Sequence, residues 1–219
     1  MKEHPILFKP EMVRALLNTR PDGSAIDSSL PTKTQTRRVV KPQPSGVNHR
    51  LGRIVEGGPS RLRDKHCLFF TIASGDFEMT DGTPCPYGQP SDRLYVREQW
   101  APDGDGFIYR ADVAPDDSGE RDGWWLGERF VGPVRWKPSI HMPKDARRLW
   151  LDVKALRVER VQDISDADSR AEGIPPECRI RPRAWFGMTW DGINARRGHP
   201  WANNDWVWVY TFERAEAAS

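Results

Sequence analysis

Pro31-Thr32-Lys33-Thr34-Gln35-Thr36-Arg37-Arg38 is the stretch whose residue types could carry a reaction. In an extended chain residues i, i+2 and i+4 share a face, so Thr34, Thr36 and Arg38 point one way and Lys33, Gln35 and Arg37 the other. A turn or bulge before Thr36 would still bring Lys33 and Thr36 to one mouth. A lysine ammonium beside a hydroxyl binds phosphate or polarises a carbonyl, and a buried lysine that loses its proton activates the hydroxyl. Read in isolation, the same stretch is a strand, with threonines favouring the extended backbone and Lys and Arg forming its wet face. Ala171-Glu172-Gly173 supplies a second candidate. A carboxylate at a helix C-terminus sits at the unfavourable end of the dipole, so a partner elsewhere is expected to hold Glu172 there.

Other chemistries lack their signatures. His66-Cys67, Cys85, His141 and Cys178 show no C-x-x-C or H-x-x-x-H pairing, so no metal site is expected. No Walker loop, Gly-x-Gly-x-x-Gly, Gly-x-Ser-x-Gly or His-Glu-x-x-His occurs, and no cofactor is expected. Tryptophans such as Trp185, Trp201 and Trp206 would stack on bases if exposed, although apolar neighbours place most of the ten Trp in the core.

The elements that must position these residues follow from patterning. Ile6-Leu7-Phe8 reads as a strand and Pro10 as the first residue of a helix carrying Met12, Ala15 and Leu16, broken at Arg20-Pro21-Asp22-Gly23. Thr36 to Val40 reads as a strand. Residues 42–91 read mostly as loop with one apolar piece, Cys67 to Ile72. Leu94-Tyr95-Val96 and Phe107-Ile108-Tyr109 are further strands. Along Arg148–Val161, Leu149, Leu151, Val153 and Ala155 alternate before Leu156 and Val158 take the other phase, which predicts a bulge in a long strand. Ser165 with Asp168 opens a short helix and Gly173 closes it; a second helix runs from Pro182 to about Asn194, burying Phe186, Trp190 and Ile193. Trp206 to Phe212 is apolar on both faces, as a strand closing a small barrel would be. The expected class is α+β, mainly β, with short helices.

At 219 residues, with 37% apolar and 29% charged side chains, the chain is long enough for one domain with a real core. Gly and Pro, 18 and 19 of them, predict long loops. No run approaches the ~20 apolar residues of a membrane span, and the N-terminus lacks the apolar run of a secretory signal. Three cysteines form no disulfide framework, so a soluble cytoplasmic protein is expected. The net charge of +2 hides segregation. Lys33 to Lys65 holds nine basic residues against Glu56 and Asp64, a solvated loop or a phosphate-binding surface. Ala101 to Phe130 holds eight acids against three arginines and is expected to be an exposed insertion, which could shield the basic groove.

Several pieces in order resemble one family: the strand, the helix with Met12-Val13-Arg14-Ala15-Leu16-Leu17, then Lys33 to Arg38, then Asp92-Arg93-Leu94-Tyr95-Val96-Arg97-Glu98. The long strand, Asp163-Ile164-Ser165, Ala171-Glu172-Gly173-Ile174 and Trp206-Val207-Trp208-Val209 follow. The chain is similar to the ASCH domain, a relative of the RNA-binding PUA fold, and Cys85-Pro86-Tyr87-Gly88 and Trp136 to Pro143 look like the longer ASCH proteins of phages and prophages. The resemblance implies a single domain over 1–219: a small PUA-like β-barrel flanked by short helices, with long insertions at 42–66 and 101–132. Some family members are amidohydrolases that remove an acyl group from the exocyclic nitrogen of a modified cytidine; others are thought to bind or cut RNA. Carried over, the amidohydrolase lysine, threonine and glutamate fall on Lys33, Thr36 and Glu172, and Arg38 matches the arginine that ends the motif. Arg37, Arg38, Lys41 and Arg97 are the expected nucleic-acid contacts. The expected partner is RNA, single-stranded nucleic acid or a modified nucleoside. The alternatives are a non-catalytic RNA- or base-binding module, a ribonuclease, and a phage accessory protein acting on a host protein. Two positions depart from the family: no glycine precedes Lys33, where Arg20 to Pro31 lengthens the turn, and Ser91 stands where the family has glycine.

Overall fold

The computed structural model describes residues 1–19, 33–43, 48–53, 66–71, 83–115, 123–175 and 178–215. The break expected at 20–23 and most of the 42–66 insertion lie outside them.

The chain opens with strand β1 (Glu3–Leu7) and helix α1 (Pro10–Leu17). Pro10 supplies a first-turn residue that needs no N–H partner, and Asn18 ends the helix in the left-handed conformation, φ 58°. Strand β2 (Gln35–Val39) follows the undescribed stretch. Strands β3 (Asn48–Arg53), β4 (His66–Thr71) and β5 (Thr83–Pro84) then form an antiparallel sheet of three, so this region carries a strand, β3, where the sequence reads as loop.

Strand β6 (Arg93–Arg97) runs parallel to β1. A hairpin of β7 (Trp100–Asp103) and β8 (Gly106–Tyr109) comes next, then a meander of β9 (Val113–Pro115), β10 (Trp124–Leu126) and β11 (Arg129–Gly132). The described parts of the acidic stretch, residues 101–115 and 123–130, are therefore folded, with Ala101, Ile108, Ala111 and Val113 buried.

The centre of the molecule is β12 (Trp150–Arg160) against β13 (Trp206–Ala215). Their register shifts between Val153 and Ala155, at the phase change of the sequence pattern. Between them lie α2 (Asp166–Ala171) and α3 (Pro182–Asn194). Ser165 Oγ accepts from Asp168 N–H at 3.0 Å, the cap that starts α2.

The principal sheet has the order β1-β6-β12-β13-β2 and stays open, with β1 and β2 as edges. Among the described residues the strands do not close into the expected barrel. β13 is apolar on both faces for another reason: it is an interior strand with both faces covered. Trp208, Tyr210 and Phe212 pack with Ile6, Leu94, Leu151 and the α1 residues Val13 and Leu16. Val207 and Val209 face the other way, against Phe186 and Trp190 of α3. Strands wrapped on both faces read as continuous apolar runs. No described helix is long and apolar enough to cross a membrane.

Ser91, just before β6, has φ +78°. Glycine adopts that conformation without the steric penalty a Cβ imposes. Replacing Ser91 with glycine is expected to raise stability by about 0.5–1 kcal/mol, read as an upward shift of the thermal midpoint. A lowered midpoint would mean that the serine side chain holds the turn.

Candidate functional site

Lys33 lies outside the β2 ladder. Its N–H donates to Ala15 O at 3.0 Å and the Thr34 N–H to Ala171 O at 2.9 Å, so the chain is pinned between the end of α1 and the end of α2 before it straightens into β2. This is the turn that brings Lys33 and Thr36 to one mouth. Gly173, with φ +96°, permits the close approach, because a Cβ there would stand 2.7 Å from Ala15 Cβ and 3.3 Å from Lys33 Cβ.

Glu172 caps α2 and is buried, as is Lys33. Lys33 Nζ donates to the Glu172 carboxylate at 2.8 Å and to its backbone carbonyl at 2.6 Å. Both charges at the unfavourable helix end are thus matched by one ammonium. Burial pushes the Lys33 ammonium below its ordinary value; Glu172 pulls it back up, and the Arg38 and Arg37 cations add to the lowering.

The other carboxylate oxygen is held by Arg37. Nη1 donates to Glu172 Oε1 at 3.0 Å, while Nε and Nη2 donate to Glu159 Oε1 at 2.8 and 2.6 Å. Asp168 lies 3.3 Å from Nη2. Arg157 closes the group, bonding Glu159 at 3.0 Å and Asp168 at 2.9 Å. Burial acts to raise the Asp168 carboxyl, but Arg157 and Arg37 outweigh it and hold it below the usual carboxylate value. The Arg37 side chain is fully buried.

Lys33, Thr36 and Glu172 all line one cleft of about 320 Å³. Its apolar walls are Phe8 and Met12 on one side and Trp185, Phe186 and Trp190 of α3 on the other, with Tyr87 at hand. Arg38, Asn194 and Arg197 add polar groups. The cleft lies at the unclosed seam of the sheet. β1 ends at Leu7 and β2 carries Thr36 to Val39, and all of these residues line it. Arg38 spans the seam with a guanidinium hydrogen bond to Leu7 O at 2.8 Å, over the Phe8 ring, 5.0 Å from its centroid. The Thr36 side chain is buried and forms no hydrogen bond among the described residues.

The four expected nucleic-acid contacts separate. Arg38 lines the cleft and Lys41 is exposed beside an adjoining hollow. Arg37 also lines the cleft, but its buried guanidinium is paired with three carboxylates, so it holds Glu172 there. Arg97 donates to Met142 O at 2.9 Å and lines no part of the cleft. Sequence reasoning missed Arg157 and Glu159, whose spacing of two on a strand places both on one face, and the wall residues Phe8 and Tyr87. No cluster of His, Cys, Asp and Glu suited to a metal ion occurs among the described residues. No family model, curated protein or solved structure matches the chain.

Proposed function

We propose that the cleft binds the base of a modified nucleoside and that the protein is an amidohydrolase removing an acyl group from the exocyclic nitrogen of a cytidine, as its resemblance to ASCH proteins with a PUA-like fold implies. One observation carries the reading: an ammonium and a free hydroxyl from one segment and a carboxylate from far along the chain line a single aromatic-walled cavity. Ligand pockets are of this kind, largely apolar with a few convergent polar groups. The aromatic walls suit a flat heterocycle, which stacks on such rings.

In this mechanism Thr36 Oγ attacks the acyl carbonyl carbon and passes its proton to the Lys33 amine, the form that burial favours. The tetrahedral oxyanion collapses, the C–N bond breaks, and Lys33 returns the proton to the departing exocyclic nitrogen. Water then adds to the threonyl ester, giving one proton to Glu172; the ester C–O bond breaks, the carboxylic acid leaves, and Glu172 passes that proton to Thr36 Oγ, restoring the hydroxyl. Glu172 also fixes the Lys33 amine, which bonds its carboxylate and carbonyl together.

Incubation with cytidine acetylated on its exocyclic nitrogen, followed by chromatography, tests the activity. Release of cytidine and acetate by the parent chain, retained in Thr36→Ser and lost in Thr36→Val, is the expected result. Turnover by Thr36→Val at the parent rate would remove the nucleophile from the scheme. Base binding without turnover in the parent would leave a base-binding module.

A further inference from the structure

We propose that the hollow adjoining the cleft is a phosphate subsite, built from Arg38, Lys41, Arg197 and His199, so that the ligand is a nucleotide whose base occupies the cleft and whose phosphate occupies the hollow. The proposal rests on the base-binding reading of the cleft.

The hollow measures about 480 Å³ and shares Arg38, Val39, Tyr87, Asn194 and Arg197 with the cleft, so the two cavities adjoin along a common wall. Its own residues add Lys41 and His199. Three full cations line it, and no carboxylate does among the described residues. That composition contrasts with the far side of β2, where Arg37 meets three carboxylates. Lys41 and Arg197 form no ion pair among the described residues, and Arg38 donates only to the backbone carbonyls of Leu7 and Arg37. Burial, and then the neighbouring Arg197, lower the Arg38 guanidinium from its ordinary value, against Tyr87, Glu172 and Tyr210. Arg38 and Arg197 thus repel each other along a wall that carries no carboxylate among the described residues, and a phosphate between them relieves the repulsion while accepting from both.

His199 is set for the same task. Its Nδ1 meets Asp205 Oδ2 at 2.8 Å, and its backbone carbonyl accepts from Trp190 Nε1 at 2.9 Å, so ring and backbone are both fixed. Nε2 remains as the ring's second hydrogen-bonding atom. The short 3₁₀ turn Ala195–Arg197 at the end of α3 brings Arg197 and His199 to the same rim that Trp185 and Trp190 of α3 continue into the cleft. Helix α3 therefore supplies a wall for the base, and the turn that follows it a cation for the phosphate.

Calorimetric titration with acetylated cytidine, its 5′-monophosphate and a short single strand containing it, at two salt concentrations, tests the subsite. A charge-assisted phosphate contact is expected to make the monophosphate bind roughly tenfold or more tightly than the nucleoside at low salt. That ratio is expected to shrink as salt rises and to collapse toward unity in Lys41→Ala and Arg197→Ala. A strand that outbinds the monophosphate, with the same loss in the variants, would place a diester rather than a monoester in the hollow. Equal affinity of all three ligands overturns the subsite and leaves the base reading standing. Inorganic phosphate separates the opposite case, read on the His199 imidazole signals by NMR and assigned with His199→Gln. If no nucleoside binds, yet phosphate shifts those signals in the parent and not in Arg197→Ala, the subsite stands and the base reading falls. Signals that no phosphate compound moves overturn the subsite.

Discussion

Lys33→Ala is expected to lower kcat on the acylated cytidine by about 10²- to 10⁴-fold, the range contributed by a positioned general base. Glu172→Gln is expected to lower it as well, with a signature that a merely structural role would not produce. Burial lowers the Lys33 ammonium and Glu172 opposes that shift, so the amine that takes the Thr36 proton appears as pH rises through the lowered Lys33 value. Activity in the parent therefore climbs on the alkaline side until Lys33 is deprotonated. In Glu172→Gln the opposing carboxylate is gone, and the rising limb moves to lower pH even as its plateau falls. Initial rates across the pH range, with circular dichroism to verify folding, measure both effects. A limb that stays in place in Glu172→Gln, or a Lys33→Ala variant with the parent's rate, defeats the assignment of Lys33 as the base.

The seam that holds this site is a consequence of strand order that local pattern does not record. The strand β1, helix α1, the long bulged strand β12 and helix α3 all follow from periodicity, because each is decided by residues a few positions apart. Val153 and Ala155 carry the bulge in the alternation itself. Closure is different. Whether the doubly apolar β13 completes a barrel or lies inside an open sheet depends on α1 and α3 covering opposite faces, a contact between segments far apart in sequence. The same limit applies to the site. Lys33, Thr36 and Glu172 are legible as residue types with chemistry to offer. The odd position of Glu172 at a helix end correctly implies a partner, but only the fold identifies that partner as Lys33. Arg37 shows the limit most sharply. Its strand phase opposes Thr36, as alternation requires, and a basic residue on the outer phase of an edge strand reads as solvent-facing. The structure instead roofs that phase with α2, and Glu159 from β12 completes an anionic chamber around it.

That chamber makes the loss of Arg37 costly to stability. Arg37→Ala leaves Glu159, Asp168 and Glu172 facing a void with Arg157 and Lys33 as their remaining cations. Removing one partner of a buried ion pair costs about 3–5 kcal/mol, because the remaining charge keeps its desolvation penalty. The pH dependence has a definite sign. In the parent, Asp168 titrates below its ordinary value, so its stabilising contribution is present at neutral pH and is lost as pH falls through that lowered value. In the variant, crowding of carboxylates without the guanidinium favours their protonated forms, so acidification relieves the repulsion. The stability gap between parent and variant is therefore expected to be widest near neutrality and to narrow as pH falls toward 4. Urea unfolding of both proteins at a series of pH values reads it. Arg37→Lys retains a charge but not the fork that reaches several carboxylates at once, and is expected to recover only part of the loss. A gap that stays constant with pH would assign the cost to the cavity left by the side chain, and the carboxylates would then be satisfied by Arg157 and Lys33 alone.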